Sequence, residues 1–170
     1  WLGLDLASIR DYAALAIYLP GEPDRLIMKF YIPEDSVKER VIKENPNIRQ
    51  WVRDGWITTT PGNVTDYDYI REDILQIASI VNVRRLAYDR NNSSQLIIQL
   101  TEAGIECIGY AQTTIAFTPA INKIEELIFG KTLNHEGNPV LRWMASNVII
   151  MRDSNGNRKF TKEKAKNKID

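Results

Sequence analysis

The chain has 170 residues, of which 44% are hydrophobic, and its 22 Lys and Arg residues balance 22 Asp and Glu residues. This length and composition fit one globular domain, and they exclude a disordered tail or a histone-like polybasic nucleic-acid binder while allowing a local basic patch. The single cysteine, Cys107, excludes an intramolecular disulfide, and no Cys/His cluster has the spacing of a zinc site.

The two ends of the chain look like internal parts of a longer protein. The sequence begins without Met inside an apolar, strand-like run and stops inside a Lys-rich, helix-like run. No apolar run approaches the roughly 18 residues that a membrane helix needs. We therefore expect residues 1–170 to form a single domain of a longer protein, with no membrane span.

The first part of the chain predicts three strands followed by two short helices. We expect the strands at residues 1–6, 12–19 and 25–31. The short, turn-rich connections between them favour antiparallel neighbours. The apolar stripe of the first helix consists of Val37, Val41 and Ile42. A second short helix is expected to open at Pro46 and to end near Gly55, and residues 56–60 form a small strand or an extended connector.

Helical and strand patterns then alternate. An amphipathic helix is predicted by apolar residues at spacings of three and four, namely Tyr67, Ile70, Ile74, Ile77, Ala78 and Val81. A short strand over 84–88 follows, then a helix that ends at Gly104, then a strand over 105–109. This β-α-β unit predicts parallel pairing with a right-handed crossover.

The last part of the chain predicts two more helices and a strand before its Lys-rich end. Thr118 with Pro119 indicates the start of a helix that stops at Gly130. The remaining expected segments are a polar loop at 134–139, a helix at 140–147, a strand or extended edge at 148–152 and the start of a last helix at 161–170.

Together these elements predict an α/β domain. We expect a central mixed sheet of five or more strands, flanked by helices. The first three strands are antiparallel in this prediction, and the fourth and fifth are parallel to the first. This order is similar to that of ribonuclease H-like proteins.

Two aspartates end apolar strands, although Asp is depleted in strands. Asp5 ends the first strand and Asp89 ends the fourth. Parallel neighbours would bring both carboxylates to the carboxyl edge of the sheet, where open α/β sheets bind their ligands. The structural alternatives are that Asp5 accepts backbone N–H groups from the turn at 8–11 and that Asp89 caps the following helix.

A third carboxylate, Asp170, ends the Lys-rich run. It lies beside an apolar seam of Ala165 and Ile169 that would turn it towards the sheet, or else it is a solvated partner of Lys166. Three clustered carboxylates stay ionised only around a divalent cation, and oxygen ligands suit Mg²⁺ or Mn²⁺. Two such ions about 4 Å apart would activate a water and stabilise the leaving oxygen of a phosphodiester, which is nuclease chemistry.

The motifs around these acids resemble the nuclease domain of tailed-phage terminase large subunits. In chain order they are residues 1–8 with Asp11, the run Tyr-Asp-Arg-Asn-Asn at 88–92, the loop at 134–143 and the Lys-rich run into Lys168-Ile169-Asp170. The resemblance spans essentially the whole chain. No phosphate-binding loop with Gly-Lys-Ser/Thr occurs, so the N-terminal packaging ATPase domain expected in the full-length protein is absent from this sequence.

The resemblance implies a ribonuclease H-like, metal-dependent endonuclease that hydrolyses concatemeric double-stranded viral DNA. Asp5, Asp89 and Asp170 fall on the family's three catalytic metal-binding acids, which would hold one or two Mg²⁺ or Mn²⁺ ions. The portal protein and the small terminase subunit are the implied partners, and the cytoplasm of the infected or lysogenic bacterial host is the implied location. We expect the isolated domain to be monomeric.

Four further residues are candidates for supporting the acids or for binding phosphate, namely Asp11, Arg90, His135 and Lys166. Asp11 is alternatively a turn residue bonded to its own backbone. Arg90 either holds the scissile phosphate or orients a neighbouring acid. His135 is the sole histidine, and in its Gly/Asn/Pro loop a structural hydrogen bond competes with acid–base catalysis.

Basic residues concentrate at the end of the chain. The segment from Arg158 to Asp170 holds six Lys and Arg residues against two acids. This run indicates either DNA-phosphate contact or a solvated helix face. The predicted DNA-binding residues are Lys162, Lys164, Lys166 and Lys168.

Two other functions are compatible with the sequence. Another ribonuclease H-like nuclease, such as a junction resolvase or a transposase core, would use the same acids. A non-catalytic docking module for the portal protein or the small terminase subunit would fit the zero net charge.

Overall fold

The computed structural model describes residues 1–6, 11–90 and 94–161, which form strands and helices in an α/β arrangement. The strands are β1 (Leu2–Asp5), β2 (Ala13–Leu19), β3 (Asp24–Pro33), β4 (Ile57–Thr60), β5 (Leu86–Asp89), β6 (Cys107–Tyr110), β7 (Leu133–Asn134), β8 (Ile149–Arg152) and β9 (Arg158–Thr161). The helices are α1 (Val37–Lys43), α2 (Ile48–Arg53), α3 (Tyr67–Ile80), α4 (Ser94–Glu102), α5 (Thr114–Phe129) and α6 (Pro139–Ser146), with a 3-10 turn at Glu34–Ser36. Within these ranges, no helix is both long enough and apolar enough to cross a membrane.

The main sheet has the strand order β4-β3-β2-β1-β5-β6, and β7 pairs with the start of β3. Strands β1, β2 and β3 are antiparallel neighbours, whereas β5 and β6 run parallel to β1. The predicted fold class, a mixed ribonuclease H-like sheet flanked by helices, is confirmed. Strand β1 lies inside this sheet, between β2 and β5, so both of its edges are hydrogen-bonded.

Each face of the sheet carries its own hydrophobic cluster. On one face, Leu2, Leu4 and Leu6 pack with side chains of α3 and α4. On the other face, side chains of β2, β3 and β4 pack with α2 and α6. This division follows from the period of two in a strand, because alternate side chains point to opposite faces.

Two sequence predictions are corrected at the C-terminal end. The helix predicted from Thr118 begins at Thr114, after the N-cap Thr113, whose hydroxyl accepts a hydrogen bond from the N–H of Ala116. Pro119 therefore lies in the second turn of α5 and not at its first position. Thr161, predicted to start the last helix, instead ends β9 and pairs with Ile149.

Strands β8 and β9 form a separate hairpin that is fastened to α5 by polar contacts. Arg158 makes a bidentate ion pair with Glu125, at 2.8 and 2.7 Å. The Thr118 hydroxyl accepts the backbone N–H of Arg158 at 2.7 Å. At the hairpin turn, the Asp153 carboxylate accepts the Thr114 hydroxyl at 2.7 Å and the side-chain amide of Asn157 at 3.0 Å. This two-stranded ribbon is thereby tied to α5 by hydrogen bonds and an ion pair.

Helix α6 is held to the sheet through its N-cap, Asn138. The Asn138 side chain accepts the N–H groups of Val140 and Leu141, each at 3.0 Å, and donates to the Met28 carbonyl at 3.3 Å. This side chain is 3% exposed. One residue therefore starts the helix and joins it to β3.

We expect Asn138→Ala to lower the free energy of unfolding by about 2 kcal/mol, because it removes a cap and leaves buried backbone groups unpaired. Urea denaturation measures this change. Asp66→Ala is the matched control, since Asp66 caps α3 through a single exposed hydrogen bond from Asp68, and we expect a loss of about 1 kcal/mol or less. Equal losses in the two variants would contradict the anchoring role of Asn138.

The hairpin contact is also expected to depend on pH. Hydrogen bonds from Thr114 and Asn157 hold the pKa of Asp153 below its ordinary value of 3.8. Because folding lowers the pKa of Asp153, the stabilisation that this contact provides is fully present above pH 3.8. It is lost as the pH falls through the pKa of Asp153 in the folded protein. An NMR titration of the Asp153 carboxyl and the Asn157 amide measures this, and a midpoint above 3.8 would contradict it. The Asn157 amide of Asp153→Asn should not titrate in this range.

Candidate functional site

Asp5 and Asp89 end two strands that are direct neighbours in the sheet. The parallel register of β1 and β5 pairs Leu2 with Leu86 and Leu4 with Tyr88. The next residue on each strand is the aspartate. Because neighbouring strands lie about 4.8 Å apart, the two aspartates occupy adjacent positions at the carboxyl edge. The structure thus brings together two of the three acids that the sequence singled out.

Both carboxylates lie on the same face of the sheet. Leu4 and Tyr88 belong to the cluster beneath α3 and α4, so the following residue on each strand points to the opposite face. Asp5 is exposed and Asp89 is half-buried. Ala14, the antiparallel partner of Asp5, packs in the cluster on this second face. The pair is therefore accessible at its outer end and supported by small and apolar side chains beneath.

The donor set of this pair is suited to a hard divalent cation. Two carboxylates on neighbouring strands repel each other unless a cation lies between them. Carboxylate oxygens are the ligands that Mg²⁺ and Mn²⁺ prefer, and Mg²⁺ commonly uses only one or two protein carboxylates together with water and substrate phosphate. Among the described residues, no group of three or more His, Cys, Asp or Glu side chains could hold a metal. The described part of the site therefore offers two carboxylates that could bind such a cation.

Asp11 lies at the same edge of the sheet. It comes three residues before Ala14, the partner of Asp5. Its Oδ1 accepts the backbone N–H of Tyr12 at 3.0 Å. The structure thus shows the local backbone hydrogen bond that the sequence offered as one alternative, and it places the carboxylate near the start of β2.

A buried cation lies beneath the start of β2. The Arg40 guanidinium is 4.4 Å from the ring centroid of Tyr12 and donates to the Glu44 carboxylate at 2.8 and 3.0 Å. Its Nε donates to the Ser36 hydroxyl at 3.1 Å. Burial, reinforced by the Glu44 charge, raises the pKa of Tyr12. Tyr12 is therefore a neutral, fixed ring that supports the segment next to Asp5.

Arg90 follows Asp89 and lies across the neighbouring strand. Its side chain is exposed, and its Nη2 donates to the Gly109 carbonyl of β6 at 3.4 Å. It forms no ion pair with any residue in the described ranges. A guanidinium with no carboxylate partner among the described residues is thus held at the same carboxyl edge as Asp5 and Asp89. It lies on the face of the sheet that Tyr88 and Cys107 occupy, opposite to the face of the two carboxylates.

His135 lies at the opposite end of the sheet. Its neighbour Asn134 pairs with Arg25 on β3, whereas the level of Asp5 and Ala14 corresponds to Phe30. Five residues of strand separate the two levels, which is about 17 Å. The His135 Nδ1 is buried and has no hydrogen-bond partner among the described residues. The structure does not bring His135 together with Asp5 and Asp89.

The remaining predicted site residues lie outside the described ranges. These are Lys162, Lys164, Lys166, Lys168 and Asp170. Their predicted roles in metal and DNA binding stay predictions.

Sequence reasoning missed Arg40, which stacks on Tyr12, and Gly109, which lies beneath Arg90. Arg40 is 4% exposed, whereas Ile42, a member of the apolar stripe predicted for the first helix, is 85% exposed. The sequence carries a signal for this, because Ser36, Arg40 and Glu44 are each four residues apart and so share one helix face. From that face Ser36 and Glu44 can accept hydrogen bonds from a buried Arg40 guanidinium. For Gly109 the sequence predicts only a strand residue, since no local pattern shows that Arg90 lies over it.

Comparisons with known proteins agree with this architecture. The family model described as terminase large subunit, endonuclease domain, matches residues 1–170. The chain is 31% identical over 176 residues to the terminase large subunit of Enterobacteria phage HK97, an alignment that covers all of this chain and 34% of that protein. It is 26% identical over 181 residues to protein YmfN of Escherichia coli strain K12, covering 99% of this chain and 40% of that protein.

A solved structure is also similar. The crystal structure of the HK97 bacteriophage large terminase matches all of this chain and 36% of its own chain, with a TM-score of 0.91 and 29% sequence identity. The present chain therefore spans between about a third and two fifths of the length of these relatives.

We expect Asp5→Asn and Asp89→Asn each to weaken Mn²⁺ binding by about tenfold or more, because each removes one of two adjacent carboxylates. Isothermal titration calorimetry with MnCl₂ measures the affinity. Glu102→Gln at the exposed end of α4 is the matched control for the loss of one negative charge and should bind as the wild type does. Unchanged affinity in both aspartate variants would rule out this pair as the cation site.

Proposed function

Because the chain belongs to the family of terminase large subunit endonuclease domains, we propose that it is a divalent-metal-dependent DNA endonuclease that hydrolyses phosphodiester bonds by a two-metal mechanism. Its proposed substrate is concatemeric double-stranded viral DNA. The observation that carries the proposal is the pair of aspartates at the ends of neighbouring parallel strands. Open α/β sheets bind their ligands at this edge.

Asp5 and Asp89 are the proposed metal ligands. Their carboxylates face the same side of the sheet, and Asp5 is exposed, so a substrate phosphate can approach. When bound, Mg²⁺ or Mn²⁺ supplies an activated water and neutralises the charge that develops on the leaving oxygen. The fixed sheet register holds the two carboxylates ready before substrate arrives, which reduces the reorganisation that catalysis requires. Asp170 is the proposed third ligand.

Basic residues are proposed to hold the DNA. Arg90 lies next to Asp89 without a carboxylate partner among the described residues, and its planar fork of donors suits a phosphate. The proposed further contacts are Lys162, Lys164, Lys166 and Lys168. Phosphate contacts of this kind bind DNA independently of its sequence and weaken with salt. A chain with zero net charge would bind DNA weakly on its own.

The wider assembly is also a proposal. The name of the HK97 relative describes a large terminase subunit, of which this chain spans about a third. We infer that a packaging ATPase domain accompanies the nuclease domain in the full-length protein. Portal protein and small terminase subunit are the proposed partners, and the cytoplasm of the infected or lysogenic host is the proposed location.

Incubation with supercoiled plasmid and Mn²⁺ or Mg²⁺ tests the proposed activity. We expect the wild type to nick and linearise the plasmid, and we expect Asp5→Asn and Asp89→Asn each to lower the initial rate by about a hundredfold or more, since each weakens a metal site that supplies several kcal/mol. Glu102→Gln should cut as the wild type does. Agarose gel densitometry measures the rates.

Three results would contradict the proposal. Equal cutting by the wild type and both aspartate variants would exclude these acids from the site. A strong preference for branched DNA or for an RNA–DNA hybrid over linear duplex would indicate a junction resolvase or another ribonuclease H-like enzyme. Binding of portal protein or small subunit that survives the loss of both acids, with no cleavage under any metal condition, would indicate a docking module.

A further inference from the structure

Gly109 on β6 lies directly beneath the side chain of Arg90. A Cβ atom added at Gly109 would lie 2.5 Å from Nε, 2.8 Å from Cγ and 3.2 Å from Cδ of Arg90. Distances below about 3.4 Å are too short for such contacts. Any side chain at this position would therefore force Arg90 to move.

The backbone at Gly109 gives no other reason for a glycine. Gly109 is absent from the glycines with positive φ, so its conformation is one that other residues adopt. Glycine weakens the interior of a strand, and it often marks a place where another group approaches the backbone closely. Here the approaching group is the arginine, whose Nη2 also donates to the Gly109 carbonyl.

This contact fixes the guanidinium at the edge of the sheet that carries the acids. The register of β5 and β6 pairs Tyr88 with Gly109 and Asp89 with Tyr110. Arg90 therefore crosses the strand next to the level of Asp89. Its one hydrogen bond within the described ranges, at 3.4 Å, uses one of five guanidinium donors.

Five arginines of the described ranges are in ion pairs with carboxylates, namely Arg25, Arg40, Arg71, Arg85 and Arg158. Arg90 belongs to the arginines that have no such partner within these ranges. Arg90 is instead tethered by a neutral carbonyl, which holds its position without cancelling its charge. An exposed, oriented guanidinium with no carboxylate partner in the described part of the chain is suited to an anionic oxygen pair such as that of a phosphodiester.

We propose that Gly109 is a positioning residue for Arg90, whose guanidinium it allows to lie across β6 and bind a backbone phosphate of the DNA at this carboxyl edge, on the face of the sheet opposite to Asp5 and Asp89. This inference rests on the proposed nuclease function. It assigns a role to a residue that touches neither metal nor DNA. The role is specific, because it depends on the absence of a side chain at one position of β6.

Equilibrium binding tests the inference directly. Fluorescence anisotropy with a labelled DNA duplex in metal-free buffer gives Kd at several salt concentrations, and the plasmid assay gives the cleavage rate. We expect Gly109→Ala and Arg90→Ala each to weaken binding by about tenfold at low salt. In Arg90→Ala, the slope of log Kd against log salt concentration should fall by about one. The double variant should bind no more weakly than Arg90→Ala alone, since the two residues act as a unit.

Two variants serve as matched controls. Arg84→Ala removes an exposed arginine that lies two residues before the start of β5. Gly3→Ala adds a methyl group to a strand glycine whose Cβ would meet only the Ala16 Cβ, at 3.7 Å. Both should bind DNA as the wild type does.

Thermal unfolding checks that Gly109→Ala is folded. Its unfolding temperature should be at or above that of the wild type, because alanine is favoured over glycine in a strand.

The outcomes separate this inference from the proposed function. A wild type that neither cuts nor binds DNA would overturn both. A wild type that cuts, together with Gly109→Ala that binds and cuts equally well, would overturn the positioning role alone. Additive losses in the double variant would also overturn it. If Gly109→Ala fails to fold, Arg90→Ala decides, because unchanged affinity and salt slope in that variant exclude a phosphate contact by Arg90.

Discussion

The parallel pairing of β1 with β5 is the constraint on which the rest of the site depends. Leu2 and Leu4 are almost fully buried against α3 and α4, and they fix which face of β1 points inward. A slip of one residue would turn these leucines to the opposite face and direct Asp5 into the apolar cluster. Burial of hydrocarbon thus decides where the two carboxylates lie. The free energy gained by packing the leucines against α3 and α4 offsets the electrostatic repulsion between Asp5 and Asp89 on the other face of the sheet.

The sequence predicts this part of the molecule well, because the relevant forces are local or periodic. Strands β1, β2 and β3 follow from apolar runs with short connections, and the β5-α4-β6 unit follows from alternating periods. An aspartate at the end of an apolar strand is unusual enough to draw notice at both Asp5 and Asp89. Their adjacency then follows from topology, since carboxyl ends of parallel strands share one edge.

Prediction fails where a residue's environment comes from distant parts of the chain. The buried guanidinium of Arg40 contacts the Tyr12 ring and donates hydrogen bonds to Ser36 and Glu44. The pattern of hydrophobic residues along the sequence cannot predict such a cluster of polar contacts. Thr118 shows a similar limit. Ser or Thr before Pro is typical of a helix start, but Thr118 lies inside α5, where its hydroxyl accepts the N–H of Arg158. The position of His135 depends on which strand β7 joins, and a two-residue strand has too little pattern to reveal that.

The pairing of β1 with β5 also bears on how the domain folds. Strands β1 and β2 are near neighbours in the sequence, whereas β5 joins β1 only after β3, β4 and α3 have intervened. Contacts between distant segments cost more loop-closure entropy and tend to form later than local hairpins. An early folding intermediate containing β1, β2 and β3 would carry Asp5 without Asp89. A partly folded or newly synthesised chain would then lack the paired carboxylates, and the proposed hydrolytic chemistry at this edge would begin only once the central sheet is complete.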